Sequence, residues 1–370
     1  MKKHSKHSKL TRRDNDIYAP NEIAILGTNC GNISTLVSAI SEHLTTYNLA
    51  YLDASHKKEQ EVLVVDNFVF HHKGTMASTV NKTLNKFNQV IDFSNYDFTF
   101  INGNHYKGAK QILILDPEKE ASVLKRLEQL DQIQFVIKLN DAAVYFDFLE
   151  EKYPQIKNLK CYNFTDTEAI ATHVNALIQE KIPVVKGLVL AGGKSVRMGA
   201  DKGLLEFHGK AQRTVAIELL EQQNLQTFLS VRSEQEVQEQ AVITDVFYDL
   251  GPFGAICSAF QKDPNSAWLV VATDLPFLTD EVIQLLLKKR NPSKMATAIK
   301  GKSKQFMEPL VTIWEPKSYP MLLNYLSQGF SCPRKVLINS DVEIVEIEDA
   351  VIRNINTPED FDAAKKEIDS

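Results

Sequence analysis

The chain has 370 residues, 44% of them apolar and 24% charged, with a formal net charge of −5. That length suits two domains of ordinary size and the composition is that of a globular protein, while the mild negative charge gives no reason to expect nucleic acid as a partner. No apolar run reaches the roughly 18 residues that a membrane-spanning helix needs, so a membrane is not an expected partner either.

The N-terminal stretch MKKHSKHSKLTRR is basic and is followed by the polar DNDIYAPNE rather than by an apolar segment, so it does not read as a signal peptide. Residues 1–20 read as a solvated tail, or as an arm that folds over an anionic ligand or the partner domain. After Glu22 strand and helix signals alternate. Ile23–Leu26 is an apolar run closed by Gly27, and Ser34–Tyr47 has helical spacing. Leu63–Val65, Val69–Phe70, Phe98–Ile101, Ile112–Leu115 and Phe135–Leu139 read as strands, and Glu118–Leu130 and Asp166–Glu180 as helices. Ile182-Pro183 interrupts the last of these, and a domain boundary falls near residue 185. The alternation then restarts with a strand at Leu188–Leu190, a helix at Thr214–Gln223 and a strand at Thr227–Val231. Ala267–Ala272 reads as a strand buried on both faces. Thr279-Asp280-Glu281 opens a helix over Val282–Lys289. The expected fold is α/β, with two domains over 21–185 and 186–370, each a mostly parallel sheet flanked by helices.

The four cysteines, Cys30, Cys161, Cys257 and Cys332, lie far apart without CxxC spacing. This argues against zinc and against a disulfide framework, and fits a reducing cytoplasm. The stretch LAGGKSVRMGADKGLL, residues 190–205, follows a strand and carries Gly192, Gly193, Lys194, Arg197 and Lys202. In a strand–loop–helix unit such a loop offers backbone amides to phosphate oxygens, and the basic side chains add charge-assisted bonds. The spacing is neither GxGxxG nor GxxxxGK[ST], which disfavours a dinucleotide-binding or Walker loop.

Leu190, Ala191, Gly192, Gly193, Ser195, Arg197, Met198, Gly199, Asp201 and Lys202 match the signature LAGGxSxRMGxDK, and the stretch resembles the molybdenum cofactor guanylyltransferase (MobA-type) family. The resemblance extends over 187–368 through Asp249–Ile256, Thr273–Phe277, Glu308-Pro309-Leu310 and Asn354–Glu359. It implies a Rossmann-like fold of the nucleotide-diphospho-sugar-transferase type. The implied reaction is transfer of GMP from GTP to molybdopterin, giving the guanine dinucleotide cofactor and pyrophosphate with Mg²⁺. Arg197 and Lys202 suit the triphosphate. Asp274 ends the buried strand and faces the crevice at the carboxyl edge of the sheet, where it would ligate the metal; the other reading is a turn or capping aspartate. The resemblance places Leu190, Ala191, Gly192, Gly193, Lys202, Asp245 and Asp274 at nucleotide-contacting positions. Asp245 precedes the following glycine turn by one residue fewer than the family spacing, and Ser230 stands where the family has an asparagine. Asn354 and Asn356 match a segment implicated on the pterin side, or form an Asx-turn pair ahead of a helix at Thr357-Pro358-Glu359.

Ala24–Thr35 is placed like a P-loop, but its second glycine comes one residue early and no lysine follows it. The charge partner for a nucleotide's terminal phosphates is therefore missing, and hydrolysis is not expected. With Asp97–Ile101 followed by Asn102-Gly103-Asn104-His105, Lys107 and Lys110, the first domain resembles MobB-type GTP-binding adaptors with a degenerate P-loop-like fold; the alternative is an unrelated α/β domain. Asn102 replaces the glutamate of that family's segment. Cys30 reads as a packing residue rather than a nucleophile, and His71, His72 and His105 as surface or packing histidines. Expected partners are GTP, molybdopterin and a molybdoenzyme apoprotein. The alternatives are a cytidylyltransferase of the same superfamily and a non-catalytic carrier of cofactor or nucleotide.

Overall fold

The computed structural model describes residues 9–55, 65–72, 74–80, 85–191, 202–232 and 241–369. They form two compact units, one over 14–181 and one from the described parts of 1–13 and 182–370. None of the described helices is long and apolar enough to cross a membrane.

The first unit contains β1 (Glu22–Leu26), β2 (Leu49–Leu52), β3 (Asn67–Phe70), β4 (Met76–Thr79), β5 (Phe98–Asn102), β6 (Gln111–Leu115), β7 (Ile133–Lys138) and β8 (Cys161–Asn163). Six of these form one sheet in the order β2-β5-β1-β6-β7-β8, and every pairing is parallel. β3 and β4 pair separately as an antiparallel hairpin. The central strands β1, β5 and β6 are buried along their whole length, as continuous apolar runs between two helical layers require. One face packs Ile33, Leu36 and Ile40 of the helix Cys30–Ser41 and Ile170, Val174 and Leu177 of the helix Thr167–Gln179. The other face packs Val123, Phe146 and Leu149.

In an all-parallel sheet every strand delivers its following loop to the same edge. Residues 27–30, 53, 102–105 and 116 therefore converge. Gly27 makes the tight exit from β1: its φ is +104°, and a Cβ there would lie 2.1 Å from the Ile114 carbonyl oxygen. Residues 14–20 are built into this unit rather than forming a solvated tail. Ala19 is fully buried, and the Asp16 carboxylate accepts from the Glu22 amide (3.2 Å) and from Lys181 Nζ (2.7 Å). The helix expected over Glu118–Leu130 is broken into a turn at Pro117–Lys119, a helix at Glu120–Lys125 and a second turn at Leu127–Gln129. The break falls at Arg126, whose guanidinium donates to Ser122 Oγ (2.8 Å) and to the Asn104 carbonyl (2.9 Å). The second bond is tertiary and invisible to a periodicity.

The second unit contains β9 (Val185–Leu190), β10 (Thr227–Val231), β11 (Val242–Thr244), β12 (Ala267–Ala272), β13 (Ala296–Gly301), β14 (Val311–Trp314) and β15 (Val342–Ile347). They form one sheet in the order β11-β10-β9-β12-β14-β13-β15. All pairings are parallel except those of β14, which runs antiparallel to both β12 and β13. β12 is buried at all six positions. On one face lie Leu220, Ile283 and Leu286; on the other lie Trp268, Trp314, Phe253 and Phe260. Residues 9–13 group with this unit, where Asn265 Nδ2 donates to the Arg12 carbonyl (3.1 Å).

Candidate functional site

The carboxyl edge of the second sheet gathers the candidate residues. β9 ends at Leu190, and the buried Ala191 donates its amide to the Ser230 carbonyl (3.3 Å). The expectations for Gly192, Gly193 and Arg197 lie outside the described residues. Lys202 opens a short turn, Lys202–Leu204. Thr273 Oγ1 donates to the Leu190 carbonyl (3.3 Å), tying the end of β12 to the start of the glycine-rich stretch.

Asp274 lies in the turn after β12, one residue beyond Thr273. Its carbonyl accepts the Ile355 amide (2.9 Å), which brings the Asn354–Asn356 segment alongside it. The helix that follows, Pro358–Ile368, is capped by Thr357 and Asp360: the Asp360 amide donates to Thr357 Oγ1 (3.1 Å) and the Thr357 amide to the Asp360 carboxylate (3.0 Å). Asn356 is exposed, whereas Asn354 is half-buried. Arg353 lies over the Phe277 ring at 4.1 Å, and His208 Nε2 sits 2.9 Å from the Pro276 carbonyl oxygen.

Glu308 received no individual role from its sequence, yet the fold sets it beside Asp274. Because β14 runs antiparallel to β12, the segment that enters β14 lies at the end where β12 exits; Ala272 bonds the Leu310 carbonyl at 2.9 Å. Glu308 is buried at 9% exposure. Burial pushes its carboxyl above the usual range and the negative charge of Asp274 adds to this, while the Leu310 amide (3.1 Å) and Arg334 (3.8 Å) oppose. A usable sequence signal was a lone carboxylate inside an apolar run, Met307 to Trp314.

A cavity of about 600 Å³ opens beside this pair, lined by Lys304, Phe306, Glu308, Arg334, Arg353 and Asn354. Its wall carries three basic side chains and two carboxylates, Glu308 and Asp349, so basic groups are in the majority there and an anionic ligand is accommodated. At the β10–β11 side of the sheet, the buried Ser230 hydroxyl donates to Asp245 Oδ1 (2.8 Å). Burial raises the Asp245 carboxyl above its ordinary value, and the Ser230 bond partly opposes it. The loop beyond is locked by Ser258 Oγ, which accepts from the Val246 amide (2.9 Å) and donates to the Gly254 carbonyl (2.8 Å). A Cβ at Gly254 would meet the Phe247 carbonyl oxygen at 2.3 Å, so only glycine allows this approach.

Among the described residues no three His, Cys, Asp or Glu side chains are set to hold a metal by themselves. Asp274 and Glu308 bring two carboxylates to this edge of the sheet, and a divalent cation such as Mg²⁺ commonly takes one or two carboxylates and completes its shell with phosphate oxygens and water. The charge of Asp274 helps to raise the Glu308 carboxyl, an effect that a cation would relieve, so the residues fit the group.

In the first unit the β1 loop is held by hydrogen bonds: Thr28 Oγ1 donates to Asp116 Oδ2 (2.7 Å) and Asn32 Nδ2 to Thr28 Oγ1 (2.9 Å). Cys30 and His105 meet at 3.3 Å. From the sequence Cys30 reads as a packing residue and His105 as a surface or packing histidine; their contact forms across the sheet edge, between loops far apart in the chain.

Residues 187–342 match the family described as the MobA-like NTP transferase domain. A molybdenum cofactor biosynthesis bifunctional protein from Synechocystis sp. is 31% identical over 180 residues, covering 47% of this chain and 52% of that protein. The match thus spans about half the length of that relative. A molybdenum cofactor guanylyltransferase from Xanthomonas euvesicatoria pv. vesicatoria is 31% identical over 188 residues, covering 47% of this chain and 91% of that protein. The solved structure of molybdopterin-guanine dinucleotide biosynthesis protein A from Archaeoglobus fulgidus is 24% identical, covers 50% of this chain and 98% of that one, and has a TM-score of 0.43.

Proposed function

The chain belongs to the molybdenum cofactor guanylyltransferase family, and we propose that its second unit transfers GMP from GTP to molybdopterin. An oxygen of the acceptor's terminal phosphate attacks the α-phosphorus of GTP, the bond to the β-phosphate oxygen breaks, and pyrophosphate leaves. The products are the guanine dinucleotide cofactor and pyrophosphate. Such chemistry needs positioning and electrostatic stabilisation of oxygen charge more than it needs covalent help from the protein.

The observation that carries this reading is the hydrogen bond from the Ile355 amide to the Asp274 carbonyl, 2.9 Å long. It sets the Asn354–Asn356 segment, to which we assign the acceptor side, against Asp274 at the sheet edge. Asp274 and Glu308 would hold the divalent cation, which we take to be Mg²⁺. When bound, it neutralises negative charge on the triphosphate. Asp245, pinned by Ser230, would accept the N1–H and exocyclic amine of guanine. Leu190, Ala191, Gly192 and Gly193 would supply backbone around the nucleotide, and Arg197 and Lys202 would meet the triphosphate. The cavity beside Glu308, with Arg334, Arg353 and Asn354 in its wall, would take the phosphate end of the pterin acceptor, and Asn356 would also serve the pterin side.

For the first unit we favour a degenerate MobB-like, P-loop-like domain that docks a molybdoenzyme apoprotein or stabilises the whole. Its loop lacks the lysine that phosphate transfer would require.

The test is product analysis of the full-length protein with Mg²⁺ and molybdopterin, with and without molybdate, and with GTP or CTP in parallel. Guanine dinucleotide and pyrophosphate formed with GTP alone is the expected result. Product with CTP alone would move the protein to cytidylyl transfer. Nucleotide binding without product from either would make it a carrier.

A further inference from the structure

We propose that Cys30 is a nucleophilic modification site in the first unit, activated by His105, whose substrates are small disulfides. Cys30 begins the twelve-residue helix Cys30–Ser41 behind the β1 loop and is partly exposed. His105 comes from the turn after β5, 75 residues away, and places Nε2 at 3.3 Å from Cys30 Sγ. Asp53, just beyond β2, sets Oδ1 at 4.0 Å from the same nitrogen. That carboxylate is itself fixed: it accepts from Tyr51 Oη (3.0 Å), Asn102 Nδ2 (2.8 Å) and the Ala54 amide (2.7 Å). The histidine turn is held from both sides, since Asn104 Nδ2 donates to the Thr28 carbonyl (2.8 Å) and Arg126 donates to the Asn104 carbonyl (2.9 Å).

A thiol within reach of an imidazole nitrogen, with a carboxylate 4.0 Å from that same nitrogen to favour the imidazolium formed there, is an arrangement in which a base can activate a sulfur nucleophile. The side chains of His105 and Asp53 are 20% and 32% exposed, so a small reagent can reach them. The other cysteines differ. Cys257 is fully buried and burial pushes its thiol up to about 12. Cys161 and Cys332 are exposed on the surface.

In the reaction, Cys30 Sγ attacks one sulfur of a disulfide RSSR while its proton passes to His105 Nε2. A Cys30–SR bond forms and the original S–S bond breaks. The departing RS⁻ takes the proton from His105 and leaves as RSH. Cys30 is oxidised and one half of the reagent is reduced, so no further oxidant is needed. The product stays a mixed disulfide with respect to Cys161. That residue starts β8, three strands from β1 across the sheet and at the opposite edge. Strands about 4.8 Å apart put it roughly 14 Å away or more, beyond the ~7 Å Cα separation that a disulfide spans.

The experiment treats the full-length protein at pH 7 with oxidised glutathione and follows each cysteine by peptide mass spectrometry. Cys30 should be modified about tenfold faster than Cys161 and Cys332. His105→Gln should slow Cys30 by about tenfold or more, leaving Cys332 and the far-UV circular dichroism unchanged. His105→Ala should slow it likewise, with added imidazole restoring the rate, which a purely structural role would not show. Modification of Cys30 no faster than that of Cys332 in the parent protein would overturn the proposal. So would an unchanged Cys30 rate in folded His105→Gln, or no recovery with imidazole.

Discussion

Replacing Asp245 by asparagine should abolish the distinction between guanine and hypoxanthine. In the proposed complex the carboxylate accepts two donors from guanine, N1–H and the exocyclic amine. Its Oδ1 is already positioned by Ser230 at 2.8 Å. Hydrogen bonds to a charged group contribute about 1.5–3 kcal/mol each. Asp245 is half-buried, which points to the lower end, about 3 kcal/mol for the two. At 1.36 kcal/mol per factor of ten, kcat/KM for GTP should fall about 10²-fold. Inosine triphosphate lacks the exocyclic amine, so the parent enzyme should use it about tenfold less well than GTP. In Asp245→Asn the amide NH₂ faces the ring donors and that ratio should approach one. The pH dependence follows from the raised carboxyl. Above its pKa Asp245 is ionised and accepts both donors; as pH falls through that raised value it protonates, and the preference for GTP over inosine triphosphate is lost at a higher pH than an ordinary aspartate would allow. The assay is steady-state pyrophosphate release with both nucleotides across the acid range. If Asp245→Asn lowers both nucleotides by one common factor and keeps their ratio, Asp245 does not read the base and the reasoning fails.

Glu308→Gln retains an oxygen that can accept the Leu310 amide but removes one of the two neighbouring carboxylates. Turnover should drop by about 10² with an unchanged melting temperature, and a titration should show a higher divalent-cation requirement; an unaltered cation requirement would remove Glu308 from the site. Arg290 and Glu315 form a two-point ion pair at 2.7 and 2.8 Å, with the Glu315 side chain 1% exposed. Arg290→Met should therefore cost about 3–5 kcal/mol by burying that carboxylate without its guanidinium, lowering Tm by about 10 °C in a calorimetric scan. Arg290→Met with Glu315→Leu should recover much of the loss, whereas equal melting of single and double variants would mean the pair itself carries no such burial cost.

The contiguous parts of this protein were legible in its sequence. Thr227–Val231 and Ala267–Ala272 appear as strands at those bounds; the second is the clearer signal, because a strand covered on both faces is written as an unbroken apolar run. The turn residues that end such runs mark the carboxyl edge, so Asp274 could be placed there from the chain alone. The family relation was equally readable from the residues 190–202 and the blocks after them. The helix at 118–130 was not: it is interrupted at Arg126, where the side chain bonds Asn104 from a distant turn.

What the tertiary structure decided are the pairings between distant residues. Reversal of β14 between two strands that run the other way sets Glu308 against Asp274; periodicity reports that Val311–Trp314 is buried but not its direction. The parallel order of the first sheet brings Cys30, Asp53 and His105 to one edge from three separate loops. Ser230 meets Asp245 through the register of β10 and β11. Residue types and local spacing determine which segments become strands, and which turns close them. Strand order, direction and register arise only when the apolar faces of the whole chain are buried together, and these decide which side chains share a site.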